Sequence, residues 1–337
     1  MLLPPSLRLK LDLAFKECDK QNIQSARRGL TQRYRESGDR SALIPPFMTT
    51  RWDRLSYMAT RMPATYAVCH HVLNQLQKYD TEITSLLDLG SGPGTALWAA
   101  HDLFSYLNQV TLIEQDQSLS QEGAALFNKD IHQKNITFLW QSLQSAIPFK
   151  SHDLVCLSYV LGELPARDLQ PLIEAAWQAT TEFLILLEPG TPDGFQRIKE
   201  ARAQLIQQGA FILAPCPHDL ECPMVQGDWC HFSGRLARSA LHRQIKESSL
   251  PYEDEKYSYI IASKKTRDRP LSRIIRRPKQ GSGHFILDLC TENGLERKII
   301  SKKMPTLYRA ARQASWGDPG PENAEVLQDE TCSSNSK

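Results

Sequence analysis

Two groups of residues in this chain have the types and spacing to do chemistry. The first is Asp88-Leu89-Gly90-Ser91-Gly92-Pro93-Gly94-Thr95, between an apolar run and a helix-like stretch. Glycines at such a turn let the backbone bend tightly and approach a bound nucleoside or amino acid with no Cβ in the way. Glu114, about 20 residues past the last glycine, ends the next apolar run, where a carboxylate can accept from both hydroxyls of a ribose. The second group is Cys216, Cys222 and Cys230, spaced C-x5-C-x7-C, with Cys290 in the strand-like run Phe285–Cys290. Four soft thiolates suit zinc or an iron–sulfur cluster, and this spacing does not choose between them. A shared metal would staple residues 214–232 to the chain near 290. His218 and His231 are read as polar loop residues, and Cys18, Cys69 and Cys156 as small buried hydrophobes.

These residues need elements to position them. From residue 83 onward, short apolar runs (Ile83–Leu89, Val110–Glu114, Ile136–Trp140, Leu154–Tyr159, Phe183–Glu188) alternate with helix-like stretches near 94–107, 117–129, 167–180 and 193–208. Runs without polar alternation, separated by helices, predict a parallel sheet covered on both faces, a doubly wound α/β fold. Phe211–Leu213 and Tyr257–Ala262 read as further strands flanking a cysteine-bearing insertion at 214–252. Before the sheet, helical periodicity at 7–17 and 53–79, interrupted at Pro45-Pro46, predicts a helical N-terminal module over 1–80. That module is rich in arginine (Arg27, Arg28, Arg33, Arg35, Arg40, Arg51, Arg54, Arg61), either as a solvated face or for RNA contact. The α/β domain is placed at 81–265, a basic extension at 266–312 and a disordered tail, with Cys332, at 313–337.

Composition narrows the function classes. The 337 residues carry a formal charge of only +2, which excludes a uniformly basic nucleic-acid coat protein. The charge is unevenly placed, however: residues 264–312 hold fourteen Lys and Arg against four acids. Within that segment Arg273, Arg276, Arg277 and Lys279 are the candidate phosphate contacts. Glu253-Asp254-Glu255 is too acidic to face phosphate and is assigned to capping or internal pairing. No apolar run approaches the ~20 residues that span a bilayer, so no membrane role is expected.

The spacing Asp-x-Gly-x-Gly-x-Gly resembles the first motif of class I S-adenosylmethionine-dependent methyltransferases. That likeness implies that Asp88 holds the methionine portion of the ligand, that Gly90, Gly92 and Gly94 lie against it, and that Glu114 takes the ribose. It also implies that Ser158 and Glu163, in Ser158-Tyr159-Val160-Leu161-Gly162-Glu163-Leu164, line the transfer pocket. Two departures stand out: Trp140-Gln141-Ser142 lacks the acid often found there, and no Asn-Pro-Pro-Tyr motif follows the fourth apolar run.

Longer motifs carry a second resemblance. Arg61–Tyr66, Trp229–Ser233, Leu250–Tyr259 and Arg273–Pro278 together resemble the methyltransferase-like small-ribosomal-subunit family, named for a mitochondrial small-subunit protein and containing methyltransferase-like protein seventeen. The resemblance implies a role in maturation of the small ribosomal subunit, binding to its rRNA, and a [4Fe–4S] site whose ligands match Cys216, Cys222, Cys230 and Cys290. The first 20 residues do not look like a mitochondrial presequence, so a cytoplasmic, bacterial member is expected, monomeric when free. Two activities remain: rRNA methylation, or non-catalytic assembly on the same surfaces.

Overall fold

The computed structural model describes residues 1–36, 48–143 and 148–321. At its centre the chain builds the doubly wound sheet of a class I methyltransferase-like fold. Strands β1 (Ser85–Leu89), β2 (Gln109–Ile113), β3 (Asn135–Leu139), β4 (His152–Ser158) and β5 (Thr180–Pro189) pair in parallel in the order β3-β2-β1-β4-β5. Every residue of β1 is buried, as expected for an apolar run covered on both faces. Helices α5 (Thr95–Leu103), α6 (Gln117–Ala124), α7 (Lys129–His132), α8 (Ala166–Gln178) and α9 (Pro192–Gln207) alternate with the strands.

Past α9 come β6 (Phe211–Ala214), β7 (Phe232–Ala237), α10 (Ala240–Lys246) and the long β8 (Tyr252–Ser263). Strand β8 runs antiparallel to β5 on one side. On its other side β6 pairs with its C-terminal end and β7 with its N-terminal end, so the cysteine loop 215–231 leaves the sheet between them. The stretch expected as an insertion is therefore partly sheet. Its acidic run is internally paired: Glu253 meets Arg238 at 3.1 Å and Lys246, Asp254 meets Arg235 at 2.6 Å, and Glu255 meets Arg61 at 3.2 Å.

The N-terminal helices are α1 (Pro5–Ala14), α2 (Lys20–Glu36), α3 (Arg51–Thr60) and α4 (Met62–Asn74). The single stretch expected over 53–79 divides at Arg61, where Pro63 occupies the first turn of α4. Leu7, Leu11, Ile23, Leu55, Met62 and Val72 share one core with Leu86 and Val110 of the sheet, so the N-terminal helices α1–α4 are a layer of the α/β body. Most of their arginines are held by internal acids: Arg27 and Arg28 by Glu247, Arg33 by Asp53, Arg54 by Glu122 and Arg61 by Glu255. Arg51 is exposed, while the side chain of Arg35 and all of Arg40, Pro45 and Pro46 lie outside the described residues.

The basic extension forms a second, antiparallel sheet of β9 (Ser272–Ile274), β10 (Lys279–Gly281), β11 (His284–Thr291) and β12 (Gly294–Ser301), with α11 (Pro305–Gln313) packed on Phe285, Leu287 and Ile300. Arg273 corrects the sequence expectation. It is only 4% exposed, donating from Nε to the Pro215 carbonyl at 2.8 Å and from its guanidinium to Gly317 at 2.9 Å. It joins the second sheet to the cysteine loop and is not presented to phosphate. Residues 314–321, expected in the tail, are packed: Gly317 N–H donates to Ile274, Gly320 N–H donates to Ser272, and Trp316 packs on His231. Residues 322–337, including Cys332, lie outside the described residues.

Arg273→Ala would leave a buried and a half-buried carbonyl without their donor. The expected loss is about 3 kcal/mol of unfolding free energy in a urea titration. A loss below about 0.5 kcal/mol, the level of an ordinary surface substitution, would show that Arg273 does not join these segments.

Candidate functional site

The glycine turn crosses the C-terminal end of β1. Gly90, Gly92 and Gly94 all have positive φ, at 73°, 53° and 77°. A Cβ on Gly90 would lie 2.4 Å from Val160 Cγ2, and one on Gly94 2.9 Å from Phe127 Cζ, so conformation and space both require glycine there. Gly92 N–H donates to Glu114 at 2.8 Å, and Asp116 N–H donates to the other carboxylate oxygen at 2.9 Å. Asp88 is 1% exposed, and neither carboxylate oxygen has a partner. Burial, with the nearby Glu114 carboxylate adding to it, pushes Asp88 up to about 7. A buried carboxylate without a donor is costly, and a ligand bearing an ammonium or hydroxyl would relieve it.

Strand register gathers the site. Asp88 pairs with Cys156 on one side and Leu112 on the other, and Leu112 pairs with Phe138, so these residues share a face. Two residues further along the same strands stand Ser158, Glu114 and Trp140. Trp140 is 51% exposed beside Glu114, whose N–H donates to the Leu139 carbonyl at 3.1 Å. The sequence showed only the absence of an acid at that position, whereas the register puts an indole there. Asp88, Ser158, Glu114 and Trp140 thus present an anion, a hydroxyl, a second anion and a flat apolar ring along one rim.

Helices α3 and α4 lie over this rim. Cys69 Sγ is 3.6 Å from Ser158 Oγ, and burial pushes the Cys69 thiol up to about 12. Tyr57 is raised by burial and by the neighbouring Glu163 carboxylate, which places Glu163 at the same roof. Tyr159, immediately after β4, holds φ +64° although it is not glycine, and its buried hydroxyl has no partner. Glu188, fully buried at the end of β5, pairs with Arg197 at 2.7 Å beside Gly162. Tyr159 lies in the run read from the sequence as pocket lining and Glu188 ends the fifth apolar run, but only the fold reveals the left-handed backbone of the one and the buried Arg197 pair of the other.

Cys216, Cys222, Cys230 and Cys290 line one cavity between α9, the cysteine loop and the second sheet. Sequence positions 74 residues apart are therefore brought together. His218, read as a polar loop residue, is instead 5% exposed, with Nε2 3.8 Å from Cys290 Sγ, and burial lowers its affinity for a proton. His231 is also packed, stacked on Trp229 with ring centroids 5.3 Å apart. Burial raises the thiols of Cys216 and Cys230, and that of Cys290 up to about 12. The soft donor set suits a thiolate-ligated centre, yet among the described residues no three His, Cys, Asp or Glu side chains form a ready coordination group. The four thiols would have to close around any metal they held. Of the remaining candidate phosphate contacts, Arg277 and Lys279 are exposed and Arg276 is paired with Asp228.

Residues 51–321 match the family model described as mitochondrial small ribosomal subunit Rsm22. The chain belongs to this family. Among its relatives, the human ribosome assembly protein METTL17, mitochondrial, is 24% identical over 342 residues, covering 88% of this chain and 73% of that one. The Schizosaccharomyces pombe Rsm22-cox11 tandem protein 2, mitochondrial, is 28% identical over 333 residues, and the alignment covers 81% of this chain but only 43% of that protein. Solved methyltransferases show a distant likeness. The plantazolicin methyltransferase BamL has a TM-score of 0.42 at 9% identity, covering 72% of this chain and 98% of that one. Magnesium protoporphyrin IX methyltransferase from Synechocystis PCC 6803 with bound SAM has a TM-score of 0.39 at 14% identity, covering 70% and 91%. The Rsm22 relatives are mitochondrial proteins, which overturns the cytoplasmic location expected from the sequence. That expectation rested on the three acids, Asp12, Glu17 and Asp19, and the scarcity of serine in the first 20 residues.

Asp88 makes stability depend on pH with a definite sign. Its affinity for a proton rises from the ordinary 3.8 to about 7 on folding, so the folded chain holds that proton more tightly than the unfolded one. Stability contributed by the protonated form is therefore lost as pH rises from about 4 to 7, by at most on the order of 4 kcal/mol. Urea titrations of ligand-free Asp88→Asn across that range are expected to lack this slope. The same slope in both proteins would show that Asp88 is not the buried acid responsible.

Proposed function

We propose that this protein acts in assembly of the small ribosomal subunit by binding its rRNA, with S-adenosylmethionine held at the glycine turn and a [4Fe–4S] cluster held by Cys216, Cys222, Cys230 and Cys290. The family match over residues 51–321 carries the assembly role. The unpartnered carboxylate of Asp88 supports the adenosyl ligand, because an amino-acid ammonium would supply the donors it lacks. Glu114 is oriented for ribose hydroxyls by Gly92 and Asp116, and Trp140 lies beyond it for the base. Within the thiol cavity, a bound cluster would supply the link between the cysteine loop and β11, and zinc is the alternative centre on the same thiols.

A second reading, methyl transfer to rRNA, is favoured by the strained Tyr159 beside Ser158. Methyl transfer depends mainly on aligning donor and acceptor, so the lack of an obvious base does not count against it.

Calorimetry with S-adenosylhomocysteine tests the ligand site. Wild type should bind and Asp88→Ala should bind at least ~10-fold more weakly, a difference of about 1.4 kcal/mol. Equal binding by both would remove Asp88 from the site. Nucleoside mass spectrometry of small-subunit rRNA from cells lacking the protein separates the two readings. Immature subunits with unchanged methyl marks support assembly alone, whereas a mark restored by wild type but not by Asp88→Ala establishes transfer. For the cluster, anaerobically purified protein should contain iron and sulfide, and Cys222→Ser should lose both. One equivalent of zinc without sulfide would replace the cluster with the alternative.

A further inference from the structure

The basic extension looks uniform in sequence, but folding divides its charges. Lys265 and Arg267 pair with Glu182 at 2.5 and 2.6 Å, Arg269 with Asp219 at 2.8 Å, Arg276 with Asp228, and Arg297 with Asp288 at 2.7 Å. Lys264 lies over the Trp177 ring at 3.6 Å, and Arg273 is spent on backbone carbonyls. Arg277 is exposed, but it acts on the nearby Asp254 carboxylate and is partly offset by it.

A different charge pattern occupies residues 301–313, which contain no acid. Lys302 and Lys303 form the exposed turn between β12 and α11. On α11, Leu307, Tyr308 and Ala311 face the core of the second sheet, while Arg309 and Arg312 are exposed. Arg309 and Arg312 are three residues apart, so they project from one side of the helix. Among the described residues none of these four cations makes an ion pair.

We propose that Lys302, Lys303, Arg309 and Arg312 form the principal RNA-backbone contact of this protein, taking phosphates without reading sequence. The inference rests on the rRNA-binding function proposed above. Cations held by internal acids are already neutralised and release few counterions from RNA, whereas unpaired cations on a rigid helix and turn release about one each. The Arg273 cluster expected from the sequence contributes less, because Arg273 is buried and Arg276 is paired. The contact is also carried on the sheet that supplies Cys290, so closure of the thiol cavity would set the orientation of the patch.

The test measures binding of the full chain to a single-stranded fragment of small-subunit rRNA between 50 and 300 mM KCl. The four-fold variant Lys302→Glu, Lys303→Glu, Arg309→Glu, Arg312→Glu should bind at least ~10-fold more weakly at 100 mM. The slope of log affinity against log salt should fall by roughly 3, as expected for about four lost phosphate contacts. The four matching Gln substitutions should fall in the same direction by less, and circular dichroism and urea midpoints should match wild type for both sets. Failure of wild type itself to bind would overturn the rRNA reading. Wild-type binding with an unchanged four-fold variant would overturn this proposal and leave the patch to an acidic protein surface. A larger loss from Arg277→Glu with Lys279→Glu than from the four-fold variant would overturn it as well.

Discussion

Strand β8 is the constraint on which the rest of the molecule depends. Its C-terminal half lies between β5 and β6, which closes the central sheet, and its N-terminal half carries β7. Between these two pairings the cysteine loop leaves the sheet, and the buried Ser258 hydroxyl holds it by donating to the Cys230 carbonyl at 2.8 Å. The acids before that point alternate along the strand. Glu253 faces α10, Asp254 faces β7, and Glu255 reaches the end of α3 through Arg61. One strand thereby ties the N-terminal helices, the sheet and the thiol loop into a single body. A half-buried carboxylate held by several cations is costly to separate, because each partner left behind is itself partly desolvated.

The two candidate sites share a wall. Helix α9 sends Arg197 to Glu188 beside Gly162, at the end of the sheet where the glycine turn lies. On the same helix, Phe195, Ile198 and Arg202 line the thiol cavity, and Arg202 donates to the His218 carbonyl at 2.7 Å. The turn before α9 is clamped from the cavity side as well, by the Trp229 indole donating to the Gly190 carbonyl at 3.1 Å. Gly190 has no room for a side chain, since a Cβ there would meet the Tyr257 nitrogen at 2.7 Å. Such close packing does not deform smoothly, so the spacing of the two sites is fixed by α9 and its leading turn.

Charge is where tertiary structure departs most from linear pattern. The arginines of the first 61 residues and the cations of the basic extension are counted as free in a sequence, yet among the described residues the fold gives ten of them an acid, several from a distant segment. Arg61 and Glu255 are 194 residues apart, and Arg27 and Glu247 are 220 apart. Local composition therefore overstated the basic surface at both ends of the chain.

The central sheet and the glycine turn were legible in sequence because their causes are local. Buried parallel strands need continuous apolar runs such as Leu86-Leu87, and a turn with three positive φ values needs Gly90, Gly92 and Gly94. Of the eight cysteines, Cys216, Cys222 and Cys230 stood out by their clustering, and Cys290 joined them through the family resemblance. The sequence did not show that Arg273 is a buried strut, that residues 314–321 are packed, that His218 approaches Cys290, or that Trp140 follows Glu114 along one face. Each of these depends on which strands lie side by side and which helix covers them. Those neighbours come from far along the chain, chosen by burial of the whole core, and no local spacing records that choice.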